Sequence, residues 1–342
     1  MTQLFGLSPE WTWVAWALIK TAVLMGAVLG VLPLMIWGER KVAGHVQFRP
    51  GPNRVGPFGL LQPLADVVKL LFKEDVLPTG ANRFLYFLAP ILALVPAFVV
   101  FAVVPVGPQY VVTDVNVGLL VFFAMSSLGV YAVTLAGWAG NNKFGLMGGL
   151  RSAAQMVSYE LGMGLSVIGV VLLAGSLSLV DIVNAQEGTL LGFIPKWFVF
   201  YQPLGFLSFL VAMLAETNRA PFDLPEAEGE LVAGFHVEYS SMKFAAFFMG
   251  EYANMMAISA ICTTLFLGGW HGPWLPPVWG GIVWFTLKVA LLQVFFLFVR
   301  WTFPRLRYDQ LMNLGWKILL PLTLANAMVT AVAVALREGW LR

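Results

Sequence analysis

Charge, cysteine and histidine are scarce in this sequence. Only 11% of the 342 residues are Asp, Glu, Lys or Arg, less than half the share of about a quarter in an ordinary soluble domain. So few charges cannot cover the surface of a soluble globule of this size. The one cysteine, Cys262, lies in an apolar run; a lone thiol forms no intramolecular disulfide and ligates no iron–sulfur cluster. His45, His236 and His271 stand far apart, so no metal or haem ligand set is spelled out. A net charge of +2, carried by basic residues scattered among apolar runs, argues against nucleic-acid binding. The N-terminus has no basic n-region and no small-residue cleavage site, and Glu10 precedes the first apolar run, so no cleaved signal peptide is expected.

Apolar residues fill the space that charge leaves. They make up 59% of the chain, with a mean hydropathy of +0.81, and no polar stretch is long enough for a separate soluble domain. The expectation is an all-α fold: one polytopic integral membrane domain over 1–342 with about eight transmembrane helices. Apolar runs between polar or Pro/Gly-rich breaks place these at 11–38, 82–104, 115–138, 153–174, 198–216, 243–267, 279–300 and 315–336. At about 1.5 Å per residue the first run outreaches the hydrocarbon layer, so it tilts or protrudes. Fifteen of the 20 basic residues, from Arg40 to Lys317, then fall on one side; Lys196, Arg337 and Arg342 fall on the other, with Lys20 and Lys288 inside spans. The positive-inside bias puts the fifteen in the cytoplasm and both termini outside. Lys20, near the outer end of its span, is expected to snorkel.

Between the first two spans, "FGLLQPLADVVKLLFKED" (58–75) is too short and too charged to cross. Gln62, Asp66, Lys69 and Lys73 recur along one helical face, with Leu60, Leu61, Leu64, Val67, Val68 and Leu71 on the other. This is the pattern of an interfacial amphipathic helix, either a surface anchor or the sill of a lateral opening for an amphiphilic ligand.

Acidic residues gather in two ways. Six of the 18 lie in "ETNRAPFDLPEAEGELVAGFHVEYS" (216–240), within and just before an acidic cytoplasmic loop at 217–242. Glu160 and Glu251 stand alone in apolar runs, about 13 and 12 Å from the basic residues Arg151 and Lys243 that start their spans. A carboxylate at such depth is costly unless it faces water or a partner, which makes it a functional candidate. Lys288 is a candidate counter-charge. Glu39 and Glu216 end their spans on the cytoplasmic side, and together these acids outline a hydrated funnel for protons or cations. Asp223 and Glu226 have capping-box spacing, with Pro225 in the first turn, so helix capping is an alternative role for those two. Pro221 and Pro225 interrupt regular helix, and the backbone there is expected to meet a protein partner or line a cavity.

The segments 38–75, 148–162 ("GGLRSAAQMVSYELG"), 215–252 and 300–312 ("RWTFPRLRYDQLM") closely resemble a family of membrane components of bacterial proton-translocating NADH:quinone oxidoreductase, respiratory complex I. The resemblance runs from the first span to the last. It implies a multi-pass component of the bacterial inner (plasma) membrane that forms the quinone access tunnel and couples quinone reduction to proton translocation. It also implies that the chain binds no cofactor itself, with FMN and iron–sulfur clusters residing in partner subunits of the hydrophilic arm and further membrane subunits alongside. By matched motif, Glu39, Arg40, Arg49, Asp66 and Arg305 fall near the quinone tunnel. Glu160, Glu216, Glu228, Glu230 and Glu251 fall on the acidic proton path, and Arg219, Asp223 and Glu226 in the coupling loop.

An apolar passage with a few polar contacts suits an isoprenoid quinone, and ubiquinone and menaquinone fit it alike. Two other readings stand beside this one: the homologous component of a membrane-bound hydrogenase or ferredoxin-linked quinone reductase, and a self-sufficient cation or proton transporter. The loop "QFRPGPNRVGP" (47–57) favours a quinone enzyme, and no internal repeat of the transporter kind is evident.

Overall fold

The computed structural model describes residues 9–190, 194–225, 228–273 and 277–338. Helices dominate. In chain order they are α1 (Pro9–Val46), α2 (Gln62–Phe72), α3 (Arg83–Val99), α4 (Gly118–Ala139), α5 (Lys143–Ala174), α6 (Leu179–Asn184) and α7 (Phe198–Tyr201). There follow α8 (Pro203–Glu216), α9 (Glu228–Leu231), α10 (Ser241–Phe266), α11 (Pro277–Thr302), α12 (Tyr308–Asn313) and α13 (Leu320–Arg337). The strands among the described residues are a two-residue antiparallel pair, Thr189–Leu190 with Ile194–Pro195. Seven helical segments are long and apolar enough to cross a membrane, and α8 is a shorter apolar helix beside them. The expected polytopic all-α class is what is observed.

The helix bounds differ from the expected ones where polar residues have partners. α1 continues past Glu39 to Val46, because that carboxylate is neutralised inside the protein rather than ending the helix at a polar boundary. α5 begins ten residues before the expected Ala153. Its glycine-rich start looks like a loop in sequence, but those glycines let helices meet: a Cβ on Gly137 of α4 would lie 2.3 Å from the Gly145 carbonyl oxygen. The expected fifth span is broken. Pro203 opens α8 after Gln202, whose amide donates to Thr330 Oγ1 (2.7 Å) and accepts from Asn326 (2.8 Å), both on α13. The polar break is thus satisfied inside the bundle. A π-helical turn, Leu314–Leu319, joins α12 to α13.

Side-chain caps fix the starts of α3 and α5, where Asn82 accepts from the Leu85 amide and Asn142 from the Phe144 amide. α10 is the central helix, with Ile258, Ile261, Cys262, Leu265 and Phe266 wholly buried. α1 lies at the periphery and leaves Leu18, Val23 and Leu34 exposed, as lipid-facing positions require. On α2, Leu64, Val67, Val68 and Leu71 are also exposed, while Asp66 turns back to Arg40 of α1 at 2.5 Å. The amphipathic helix is therefore shorter than the expected 58–75 but keeps an apolar outer face.

Candidate functional site

The deepest charge cluster forms where α1, α10, α11 and the turn after α8 meet. Glu39 is 5% exposed. Its Oε1 accepts from Arg219 Nη1 at 2.8 Å and also from Arg300 Nη1, and its Oε2 accepts from the Tyr252 hydroxyl at 2.6 Å. Arg219 extends the cluster: its Nε lies 2.5 Å from Glu251 Oε1, and its guanidinium covers the Tyr252 ring at 4.5 Å. Two acids and two arginines thus balance formally. A buried charge of this kind is tolerated only when paired and hydrogen-bonded.

Arg219 reaches this position because α8 stops at Glu216. Thr217 bonds back to the Met213 carbonyl at 3.1 Å, Asn218 takes a left-handed φ of 51°, and the chain turns across the helix ends. The loop after α1 folds back as well. Lys41 donates to Asn53 at 2.8 Å and Trp37 to the Phe58 carbonyl at 3.1 Å. Gly44 allows the approach, since a Cβ there would meet the Arg49 carbonyl at 2.8 Å.

These elements enclose a cavity of about 520 Å³ whose lining includes Glu39, Arg40, Arg49, Arg219, Asp223 and Glu251. A second cavity, of about 260 Å³, lies on the other side of Glu251 and is lined by Glu216, His236, Asn254 and several phenylalanines. Burial lowers the His236 pKa to about 4, so its imidazole is neutral at physiological pH. Glu216, 1% exposed, accepts from Ser126 at 2.6 Å; Ser127, the next residue of α4, donates to Glu160. Consecutive helical residues diverge, so the two hydroxyls serve different acids. Glu160 is near enough for its charge to act on Glu216. The acids therefore run in the order Glu39, Glu251, Glu216, Glu160. Among the described residues no group of three or more His, Cys, Asp or Glu is placed to hold a metal ion.

Residues 19–331 match the family model described as NADH dehydrogenase. The chain is 53% identical to the first of the NADH-quinone oxidoreductase H subunits of Geobacter metallireducens, over 94% of this chain and 97% of the relative. It is 55% identical to the NADH-quinone oxidoreductase H subunit of Rhodospirillum rubrum over 89% of each chain, and 52% identical to that of Paramagnetospirillum magneticum over 99% and 98%. The chain belongs to the family of NADH-quinone oxidoreductase H subunits. This agrees with the resemblance read from its motifs.

In this member of the family, Glu39, Arg40, Arg49, Arg219, Asp223 and Glu251 come together around the larger cavity. Asp66 stands behind Arg40; burial pushes its carboxyl up, but the hydrogen bond and charge of Arg40, with Gln62 and Lys69, outweigh this and hold it below the usual carboxylate value. Arg305 meets the cavity through Asp223, at 2.6 Å. α9 starts at Glu228. Glu230 is apart from the buried acids, in an exposed ion pair with Arg151 at 2.6 Å. Glu226 and the side chain of Glu228 lie outside the described residues.

One lysine differs from its expected role. Lys288 does not face the buried acids. It donates to the carbonyls of Leu267 (2.6 Å), Gly269 (2.9 Å) and His271 (2.6 Å), at the far end of α10, where helix carbonyls attract a cation. Lys20 reaches the connection after α3, donating to the Val111 carbonyl at 3.1 Å. Sequence reasoning passes over Arg300, Tyr252 and the Ser126–Ser127 pair. Adjacent hydroxyls in an otherwise apolar run are a usable signal for the serines, whereas Arg300 looks like a topological charge at a span end.

Proposed function

We propose that this chain is the membrane subunit of a bacterial proton-translocating NADH-quinone oxidoreductase in which quinone traffic and proton movement meet. The names of its relatives support the enzyme, and the apolar outer face of α2 supports an opening toward lipid. On this reading the larger cavity belongs to the quinone passage, and the amphipathic helix and α1 border its lipid side. The chain supplies no redox centre. FMN and iron–sulfur clusters reside in partner subunits of the hydrophilic arm, which docks on the cytoplasmic loops, and both termini of this chain lie on the periplasmic side. Further membrane subunits take up the protons.

One observation carries the coupling part of this reading: Glu251 lines both cavities and is ion-paired to the arginine that also holds Glu39. A charge or proton demand raised in the larger cavity alters the Arg219 pairings, and Glu251 transmits the change toward Glu216 and Glu160. Carboxylates at close range titrate as a coupled set, so a change of charge on one shifts the proton balance of its neighbours.

The test uses the assembled enzyme in proteoliposomes. Glu160→Gln combined with Glu251→Gln should abolish proton pumping while NADH oxidation by a water-soluble acceptor continues; full pumping sinks the relay. Glu39→Gln should lower quinone turnover by about tenfold or more, roughly 1.4 kcal/mol in the barrier, and unchanged turnover removes the cavity from the quinone passage. A flavin-containing NADH-oxidising subunit should co-purify in mild detergent. Recovery of a nickel hydrogenase subunit in its place refutes the enzyme assignment.

A further inference from the structure

The two cavities share a wall made of Asn218, Phe248, Glu251 and Arg300. Phe248 and Glu251 sit on α10 and Arg300 on α11, so their backbones are held by helix hydrogen bonds. Asn218 has no helix to hold it. Its backbone is in the left-handed region, at φ 51°, just past the α8 cap Thr217, an ordinary helix ending for Asn that fixes the sense of the turn but not its contacts.

Gln155 of α5 ties the turn to the bundle. It is fully buried, and its Nε2 lies 2.8 Å from the Ala215 carbonyl, 3.1 Å from Asn218 Oδ1 and 2.8 Å from the Phe222 carbonyl. The amide therefore grips the turn at its start, middle and end. Met156 adds a sulfur contact to Asn218 Nδ2 at 3.7 Å. The Gln155 Oε1 is buried without a hydrogen-bond partner among the described residues.

We propose that Gln155 is a positioning residue that holds Asn218 as the closed section of the wall, so that charge crosses between the cavities through Glu251 rather than around it. This rests on the reading of the two cavities given above. With the amide in place the turn has one geometry, and Arg219, the next residue, is aimed at Glu39 and Glu251 together. Without it the turn is no longer tied to α5, the wall at Asn218 opens, and quinone reduction proceeds without obligatory proton transfer.

The experiment compares Gln155→Leu and Gln155→Glu in the assembled enzyme, reconstituted in proteoliposomes. Assembled enzyme is counted by NADH oxidation with a water-soluble acceptor. Gln155→Leu should keep quinone turnover within about twofold but lower the protons moved per NADH by at least about threefold, the scale set by one hydrogen bond in a two-state balance. Gln155→Glu keeps the volume and donates only as the protonated acid. Its coupling ratio should rise toward the parent's as the pH is lowered and fall toward that of Gln155→Leu as it is raised, because only the protonated acid can donate to the carbonyls of the turn.

A parent-like ratio in Gln155→Leu overturns the proposal, as does a ratio in Gln155→Glu that follows the parent at every pH. Loss of assembly in both variants makes Gln155 a folding residue and also overturns it. These outcomes are separate from the quinone reading, which stands or falls with turnover in Glu39→Gln.

Discussion

Arg219 Nη1 lies 2.8 Å from Glu39 Oε1, joining residues 180 positions apart in the chain. The same guanidinium reaches Glu251 through its Nε, so its removal leaves two acids short of a partner. Arg219→Leu should destabilise the assembled protein by roughly 3–5 kcal/mol, the usual cost of breaking a buried pair. Thermal unfolding of the detergent-solubilised enzyme measures it. Adding Glu251→Gln to Arg219→Leu should recover part of the loss, and an additive double variant shows that the two groups are not coupled.

His236 gives a pH signature. Its folded pKa is depressed to about 4 by burial, so its contribution to stability is complete above the unfolded value of about 6.5. That contribution falls as pH drops from there to about 4, where the folded imidazole protonates, by at most roughly 3 kcal/mol. Hydrogen-exchange protection of the 228–240 segment, taken relative to the intrinsic amide rate at each pH, should therefore fall between about pH 6 and 4, and His236→Phe should flatten that dependence.

Gly137 is a packing test. A Cβ there meets the Gly145 carbonyl oxygen at 2.3 Å, and backbone cannot yield as a flexible side chain does. Gly137→Val should cost about 1–3 kcal/mol or more through overpacking. The yield of assembled enzyme and its unfolding temperature report the loss, whereas an outward-facing change such as Tyr131→Phe should leave both alone.

The amphipathic helix α2 gives a test by tail length. Ala65→Trp adds bulk on α2, and under the proposed lateral opening it should slow turnover of long-tailed quinones more than short ones. Equal slowing of both counts against α2 as the entrance. Asp66→Asn removes the ion pair to Arg40 and should loosen α2 without changing turnover of water-soluble acceptors; limited proteolysis in the 47–75 region measures the loosening.

The apolar segments are legible in the sequence because a run of about 20 apolar residues has few alternatives to a helix when backbone groups must be satisfied inside a membrane. Helix ends are less so. Glu39 and the glycine-rich start of α5 both resemble boundaries, and only tertiary partners make them helix interior: Arg219 and Arg300, remote in sequence, for Glu39, and Gly137 of the preceding helix for Gly145. Of the site, the isolated acids Glu160 and Glu251 announce themselves by their apolar surroundings. Their partners do not, because Arg300 is one of many basic residues and Gln155 is one polar residue among ordinary ones. Lys288 misleads for a related reason: depth along a helix says nothing about direction around it, and it is the carbonyls after α10 that take its ammonium.

α10 is pinned at both ends. At its start Lys243 pairs with Asp75 and Ser241 donates to the Leu70 carbonyl at 3.0 Å; at its far end the Lys288 ammonium gathers three carbonyls. Such a helix serves as a fixed axle, with Glu251 and Tyr252 mounted on it as stationary contacts. Under the proposed coupling, a change of partner by Arg219 is then read against an axle that stays still.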